Sequence, residues 1–225
     1  MARPRHFDEE EVVRAAREQF WSVGYNGTSI DDLSVATGLG RGSLYGAFGD
    51  KRALFLRALD SYNSDALEAW RSALGGPGPA LPMLERHVRD VAEGITGDVE
   101  RRGCMMAKIA AELSAVDEGV AERIAEVVRG LHDALRGCIA RAQAEGSLDA
   151  DADAGSLAGL LFAVLRGLEA LGKAGATPEV VNGAAEQALA LLPRVSTDDH
   201  ATSPWAAPRG DRLRPAQQRG TRVDA

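Results

Sequence analysis

Arg41, Ser43, Tyr45 and Lys51 have the side-chain chemistry and the spacing to meet a polyanion. Arginine and lysine neutralise phosphate, an arginine fork can grip guanine at two acceptors, and hydroxyls bond phosphates or base edges. On a helix beginning near Arg41, Leu44 and Phe48 lie four apart and share the inner face. Arg41, Gly42, Ser43, Tyr45 and Gly46 are then left on an outer face almost free of acid. Between positions 41 and 57, Arg41, Lys51, Arg52 and Arg57 outnumber the single acid Asp50. Tyr45 has a second option, packing against the preceding helix with only its hydroxyl reaching phosphate.

Cys104 and Lys108 form a second group, one helical turn apart. Cysteine reacts as its thiolate, which a helix start and a nearby ammonium both favour. The competing assignment is a small buried hydrophobe, with Lys108 paired to Glu112. Cys138 falls on an apolar stripe and reads as core, and the sequence leaves a Cys104–Cys138 disulfide open. A third group is Trp70, Met83, His87, Met105 and Met106, side chains suited either to an adaptable effector cavity or to plain core. His87 has no His or carboxylate partner at metal spacing, so neither a metal site nor a cofactor is expected.

These side chains depend on helices for their placement. Residues 28–48 read as two short helices joined by a Gly-containing turn, the helix-turn-helix plan that lays its second helix in the DNA major groove. Thr28 or Ser29 can cap the first of these, with Asp31 and Asp32 in the favoured first turn. Ile30 and Leu33 share its inner face, and Gly38 sits where the chain turns sharply. An earlier helix starts at Asp8, with Glu11 completing a capping box, and carries an inner stripe of Val12, Ala16, Phe20 and Val23. A basic arm with Arg3, Arg5 and His6 precedes it. A long helix begins near Lys51 behind an Asp50 cap and ends at about residue 74, where Gly75-Gly-Pro-Gly-Pro stops it.

Five more helices are expected at roughly 79–96, 101–115, 118–145, 152–174 and 178–192. The 118–145 helix has a clean apolar stripe through Val120, Ile124, Val127, Leu131, Leu135, Cys138 and Ala142. The last two helices are apolar on more than one face, and Ala158, Gly159, Ala163 and Gly167 permit close approach of another helix. This pattern predicts a homodimer through 152–174 and 178–192; a helix fully internal to a larger bundle is the alternative. Residues 1–50 are therefore expected to form the DNA-reading domain, 51–74 a connecting helix, and 75–194 a regulatory and dimerisation domain. Residues 195–225, with five Arg, four Asp and few large apolar groups, are expected to be a disordered tail.

Composition agrees with an all-α fold of about nine helices, being rich in Ala, Leu, Glu and Arg and poor in strand-type runs. The net charge of −7 argues against a protein that coats nucleic acid generally, yet leaves room for a local basic face. Two cysteines without metal spacing suggest reduced thiols. No secretory leader opens the chain, and the longest apolar run, 157–165, is about half a membrane span. The expectation is a soluble protein of the cytoplasm, not associated with a membrane. No nucleophile–base set, phosphate-binding Gly loop or supported carboxylate pair points to an enzyme.

Four blocks carry a resemblance to the TetR family of bacterial transcription regulators: Phe20-Trp-Ser-Val-Gly-Tyr, Gly27-Thr-Ser-Ile, Thr37-Gly-Leu-Gly-Arg-Gly-Ser-Leu-Tyr and Phe48-Gly-Asp-Lys-Arg-Ala-Leu-Phe. The match spans about residues 8–60. Ser34 and Thr37 stand where the family usually has Ala, and Gly46-Ala47 replaces a common aromatic or His pair. The resemblance implies a dimer reading successive major grooves of operator DNA, and a C-terminal domain whose small-molecule effector changes the spacing of the reading heads. It also implies that Arg41, Ser43 and Tyr45 face bases or phosphates while Thr28 and Lys51 hold the DNA backbone. The block from Arg102 to Ser114, around Gly103-Cys104, is similar to a group that includes the electrophile-responsive repressor of N-ethylmaleimide reductase. Release from the operator by an electrophile or oxidant at Cys104 is thus one implied response. Non-covalent induction with Cys104 as core, and activation instead of repression, stay open.

Overall fold

The computed structural model describes residues 7–195, and these form nine helices. In chain order they are α1 (Glu9–Val23), α2 (Ile30–Thr37), α3 (Arg41–Phe48), α4 (Lys51–Gly75), α5 (Ala80–Gly97), α6 (Met105–Leu113), α7 (Glu118–Ala144), α8 (Ala154–Lys173) and α9 (Pro178–Ala190). The basic arm at Arg3, Arg5 and His6 and the tail beyond Val195 lie outside the described residues.

Side chains set the helix starts. Asp8 accepts from the Glu10 N–H at 2.8 Å, one position earlier than the Asp8–Glu11 box would require. The box forms in α2 instead, where Ser29 accepts from Asp32 N–H and Asp32 accepts from Ser29 N–H. Asp50, Asp117 and Asp153 cap α4, α7 and α8. Gly38 holds the turn between α2 and α3 at φ 70°, where a side chain would be strained. α6 is shorter than the expected 101–115, because Arg101 and Gly103 both take positive φ, and a right-handed helix cannot start until they are passed.

The helices bury two apolar clusters. The first joins Val12, Val13, Ala16 and Phe20 of α1 to Leu33, Leu44, Phe48, Leu54, Phe55, Ala58 and Leu59. Phe20 and Phe55 meet edge to face at 5.2 Å, each fully buried. Val23 was expected on this stripe but is 52% exposed, because α1 ends there and the chain turns away at Gly24. Met105, Ile109, Leu113 and Val120 complete the same cluster. The N-terminal helices thus take part of their core from α6 and the start of α7, although both lie C-terminal to the Gly75–Pro79 break.

The second cluster is built from α4's far end, α5, α7, α8 and α9, around Trp70, Leu84, Val88, Leu131, Leu135, Ile139, Leu161, Leu165 and Val181. Tyr62 and Ile124 pack against both clusters. At about 1.5–3 kcal/mol for each large side chain removed from water, each cluster can hold its helices together.

Candidate nucleic-acid interface and effector cavity

α3 presents its outer face as its spacing predicts. Leu44 and Phe48 are buried, while Arg41, Gly42, Ser43, Tyr45 and Gly46 are exposed. A Cβ placed at Gly42 or Gly46 would meet nothing within 4 Å, so that part of the helix surface is smooth backbone. In α2, Ser34 and Thr37 bond back to the carbonyls of Ile30 and Leu33, which satisfies hydroxyls at positions where alanine would need no partner.

The basic residues around α3 are not the uncompensated patch that local counting suggests. Arg41 is held by both carboxylate oxygens of Asp31, its Nε at 2.6 Å from Oδ1 and its Nη2 on Oδ2. Arg52 forks onto Asp117 at 2.8 Å, and Arg57 pairs with Glu9 at 3.0 Å while lying over the Phe48 ring. The partners come from 10, 65 and 48 residues away in sequence. Asp31 and Asp117 are held below the usual carboxylate range, Asp117 at about 2, in each case chiefly by the arginine hydrogen bond.

Thr28 and Lys51, expected on the DNA backbone, face inward to different degrees. Thr28 is 1% exposed, and its hydroxyl donates to Gly24 O at 2.7 Å, so its side chain supports the α1–α2 turn. Lys51 donates to Tyr25 O at 2.9 Å and Thr28 O at 2.7 Å, with Nζ 4.2 Å above the Tyr25 ring. Two of its three ammonium protons brace that turn.

Cys104 lines a cavity of about 440 Å³ with Trp21, Tyr62, Ile95, Arg102 and Glu169. The Cys104 Sγ accepts from Arg166 Nη1 at 3.3 Å and from the Tyr62 hydroxyl at 3.7 Å. Arg166 also pairs with Glu169 at 2.8 Å. Burial pushes the thiol pKa up, with Glu169 adding to the rise and Arg166 opposing it. Thiolate activation by Lys108 is therefore not what the geometry provides. Lys108 points the other way, donating to the Trp21 and Ser22 carbonyls at the end of α1. Burial lowers its own pKa, with Lys173 close by.

The other expected effector residues do not converge on that cavity. Met105 belongs to the head cluster, whereas Trp70 and His87 meet edge to face at 4.6 Å in the second cluster. His87 is 6% exposed, its Nε2 lacks a partner, and burial drives its pKa down to about 4. Met106 is buried in that second cluster too, and Met83 is half-buried under Arg141. Cys104 and Cys138 are both free thiols; Cys138 donates to Ala80 O at 3.4 Å. Among the described residues, no group of three His, Cys, Asp or Glu side chains is placed to hold a metal ion.

Two family profiles match the chain, "Bacterial regulatory proteins, tetR family" over residues 12–58 and "Tetracyclin repressor-like, C-terminal domain" over residues 80–188. The chain belongs to the TetR family. The HTH-type transcriptional regulator YezE of Bacillus subtilis is 34% identical over 70% of this regulator and 82% of its own length. The HTH-type transcriptional repressor ComR of Escherichia coli is 26% identical over 86% and 92%. A cysteine mutant of the TetR family regulator CifR, complexed with 26-bp double-strand operator DNA, superposes with a TM-score of 0.71 at 31% identity, covering 85% of this regulator and 100% of that chain. The reduced form of Escherichia coli NemR shares the fold, with a TM-score of 0.76 at 17% identity over 84% and 98%.

This TetR-family chain is thus a DNA-binding transcription regulator, with α2 and α3 as its helix-turn-helix. Its α8 and α9 leave a broad apolar surface on a single copy. α8 is long and apolar enough to cross a membrane, with a mean hydropathy of 1.5, yet only 22% of that window is buried within the chain. Leu160 is 52% and Leu191 67% exposed, and Val180 and Leu171 are exposed as well. Gly167 carries an open face where a Cβ would touch nothing.

Sequence reasoning missed Trp21, Tyr62 and Glu169 at the cavity, Arg166 on the Cys104 sulfur, and Asp31 on Arg41. Arg166 and Glu169 did leave a signal, a charged pair three apart inside an otherwise apolar helix. The roles of Trp21 and Asp31 depend on contacts between helices, which no local pattern records.

Proposed function

We propose that this regulator is a repressor that binds its operator as a dimer through α8 and α9, and that it is released when a small molecule or electrophile engages the Cys104 cavity. Its task is regulatory rather than catalytic, carried out at the nucleoid in the bacterial cytoplasm. The observation that carries the effector reading is the position of Cys104. It stands at the start of α6, touches Tyr62 of α4 and Arg166 of α8, and follows Gly103, whose carbonyl accepts from Trp21 of α1. A group attached there would press on three helices and on the reading head together.

In the covalent form, Cys104 adds to an electrophilic carbon–carbon double bond. The new Sγ–C bond forms at one carbon, and the thiol proton ends on the neighbouring carbon, so no oxidant is consumed. The raised thiol pKa favours a second reading, in which the same cavity holds a ligand without covalent attachment. Two measurements separate them. Intact-protein mass after treatment with an unsaturated carbonyl compound should show one adduct, lost in Cys104→Ser, and operator release should be lost with it. Release that persists in Cys104→Ser rules out the covalent route and leaves the bound ligand. Adduct formation should be slow at neutral pH and accelerate beyond pH 9, the ordinary thiol value above which this one is raised.

A further inference from the structure

The two adjacent aspartates at the start of α2 do different work. Asp32 is consumed by the capping box with Ser29. Asp31 instead reaches across the turn to Arg41, the first residue of α3. The contact uses one particular edge of the guanidinium, Nε and Nη2. What remains is the end-on edge, formed by Nη1 and the second proton of Nη2. Those two donors match a pair of neighbouring acceptors, and in the major groove only guanine offers such a pair, O6 with N7. Adenine sets a donor beside its N7, and cytosine sets a donor where guanine has O6.

We propose that Asp31 is a positioning residue for base readout, holding Arg41 side-on so that its free edge reads a guanine in each operator half-site. The inference rests on the reading that α3 enters the major groove, and it names the base that this site prefers. N-terminal residues of a recognition helix are the ones that reach base edges. Arg41 occupies that place, and Gly42 and Gly46 supply no side chain to share the task. Ser43 can donate or accept and so discriminates poorly. An unanchored arginine at an exposed helix start would sample many rotamers, and ordering it on DNA would cost discrimination. Asp31 removes that freedom in advance, from a helix whose own start is fixed by a capping box. A carboxylate beside a polyanion also repels it, which gives the test an opposite sign on random DNA.

The full-length dimer is used to select an operator from a random duplex library, and each guanine is then replaced singly by 7-deazaguanine, which lacks the N7 acceptor. The wild type should lose about tenfold or more in affinity at one guanine per half-site, the range of a bidentate contact. Arg41→Ala should be insensitive at that guanine, while Arg41→Lys, whose ammonium can still donate to N7 or O6, should show a smaller penalty than the wild type and retain most of the salt dependence. Asp31→Asn should bind random duplex as well as or better than the wild type, while its penalty at that guanine falls to about a third or less. A full penalty in Asp31→Asn overturns the positioning role. A guanine-independent loss in Arg41→Ala overturns base readout by Arg41 while leaving DNA binding intact. Failure of the wild type to bind any duplex overturns the docking of α3 itself, and the inference with it.

Discussion

The indole N–H of Trp21 donates to the carbonyl of Gly103 at 2.7 Å, tying the end of α1 to the residue before Cys104. The link is one of several. Arg102 lies 4.1 Å over the Trp21 ring and pairs with Glu18, and Lys108 binds the last carbonyls of α1. Glu112 accepts from the N–H groups of Tyr25 and Asn26 at 3.0 and 2.6 Å, and fits closely against Gly24, where a Cβ would lie 2.7 Å from its carboxylate. Residues 102–112 therefore grip the end of α1 and the turn after it through directional polar contacts, the route by which the proposed effector signal would reach the head.

Trp21→Phe keeps an aromatic face under Arg102 but deletes the indole donor. Operator affinity of the unmodified protein should stay within about threefold, and stability should fall by about 1 kcal/mol. The ratio of affinities with and without effector should shrink several-fold, since coupling is a free energy shared by both sites. Titrations of operator with and without effector measure it. An unchanged ratio would show that the signal travels by another route.

Lys51→Ala should lower affinity about equally for all sequences and flatten the salt slope by about one unit, if its third proton meets a phosphate. It should also lower the urea midpoint, because Tyr25 O and Thr28 O lose their donor. A lower midpoint with an unaltered slope identifies Lys51 as a brace for the turn and nothing more.

Gly167→Leu tests the apolar face. Its Cβ meets nothing within one copy, so folding of the monomer should be undisturbed or slightly strengthened by the loss of a helical glycine. A leucine there should hold the two copies apart. Sedimentation should show dissociation, and operator affinity should fall by at least tenfold. A stable dimer would place the interface elsewhere.

Acid should weaken the second cluster through His87. Its folded pKa is about 4 against an ordinary 6.5, so between these values the unfolded chain binds a proton that the folded chain refuses. Stability is highest above pH 6.5 and declines as pH falls toward 4, by about 3 kcal/mol in all at the usual free energy per pH unit. Urea midpoints across pH 4–7 should show the decline, and His87→Leu should flatten it. An equal decline in His87→Leu assigns it to other groups.

Helix count, helix order and the inward face of α3 were legible in the sequence, because capping residues, glycine stops and apolar spacing are local properties. The same is true of the excess apolar surface on α8 and α9, which shows as leucines beyond one stripe's need. Thr28 and Lys51 were legible as important positions but not as inward-facing ones. Their partners are carbonyls of the Gly24–Thr28 turn, and the path of that turn follows from how α1 and α2 pack.

By itself the sequence determined an all-helical chain with a helix-turn-helix near its start, since 3.6-residue periodicity and turn chemistry act over a few residues. Tertiary structure alone decided which charges cancel. Arg41 meets Asp31 across the turn from the preceding helix, and Arg52 and Arg57 find Asp117 and Glu9 only when helices distant in the chain are brought side by side. It also decided the fate of Cys104. Lys108, one turn away along the helix, turns to α1, and Arg166, 62 residues away, reaches the sulfur instead. Electrostatic energy depends on separation in space, and a linear sequence does not record that distance.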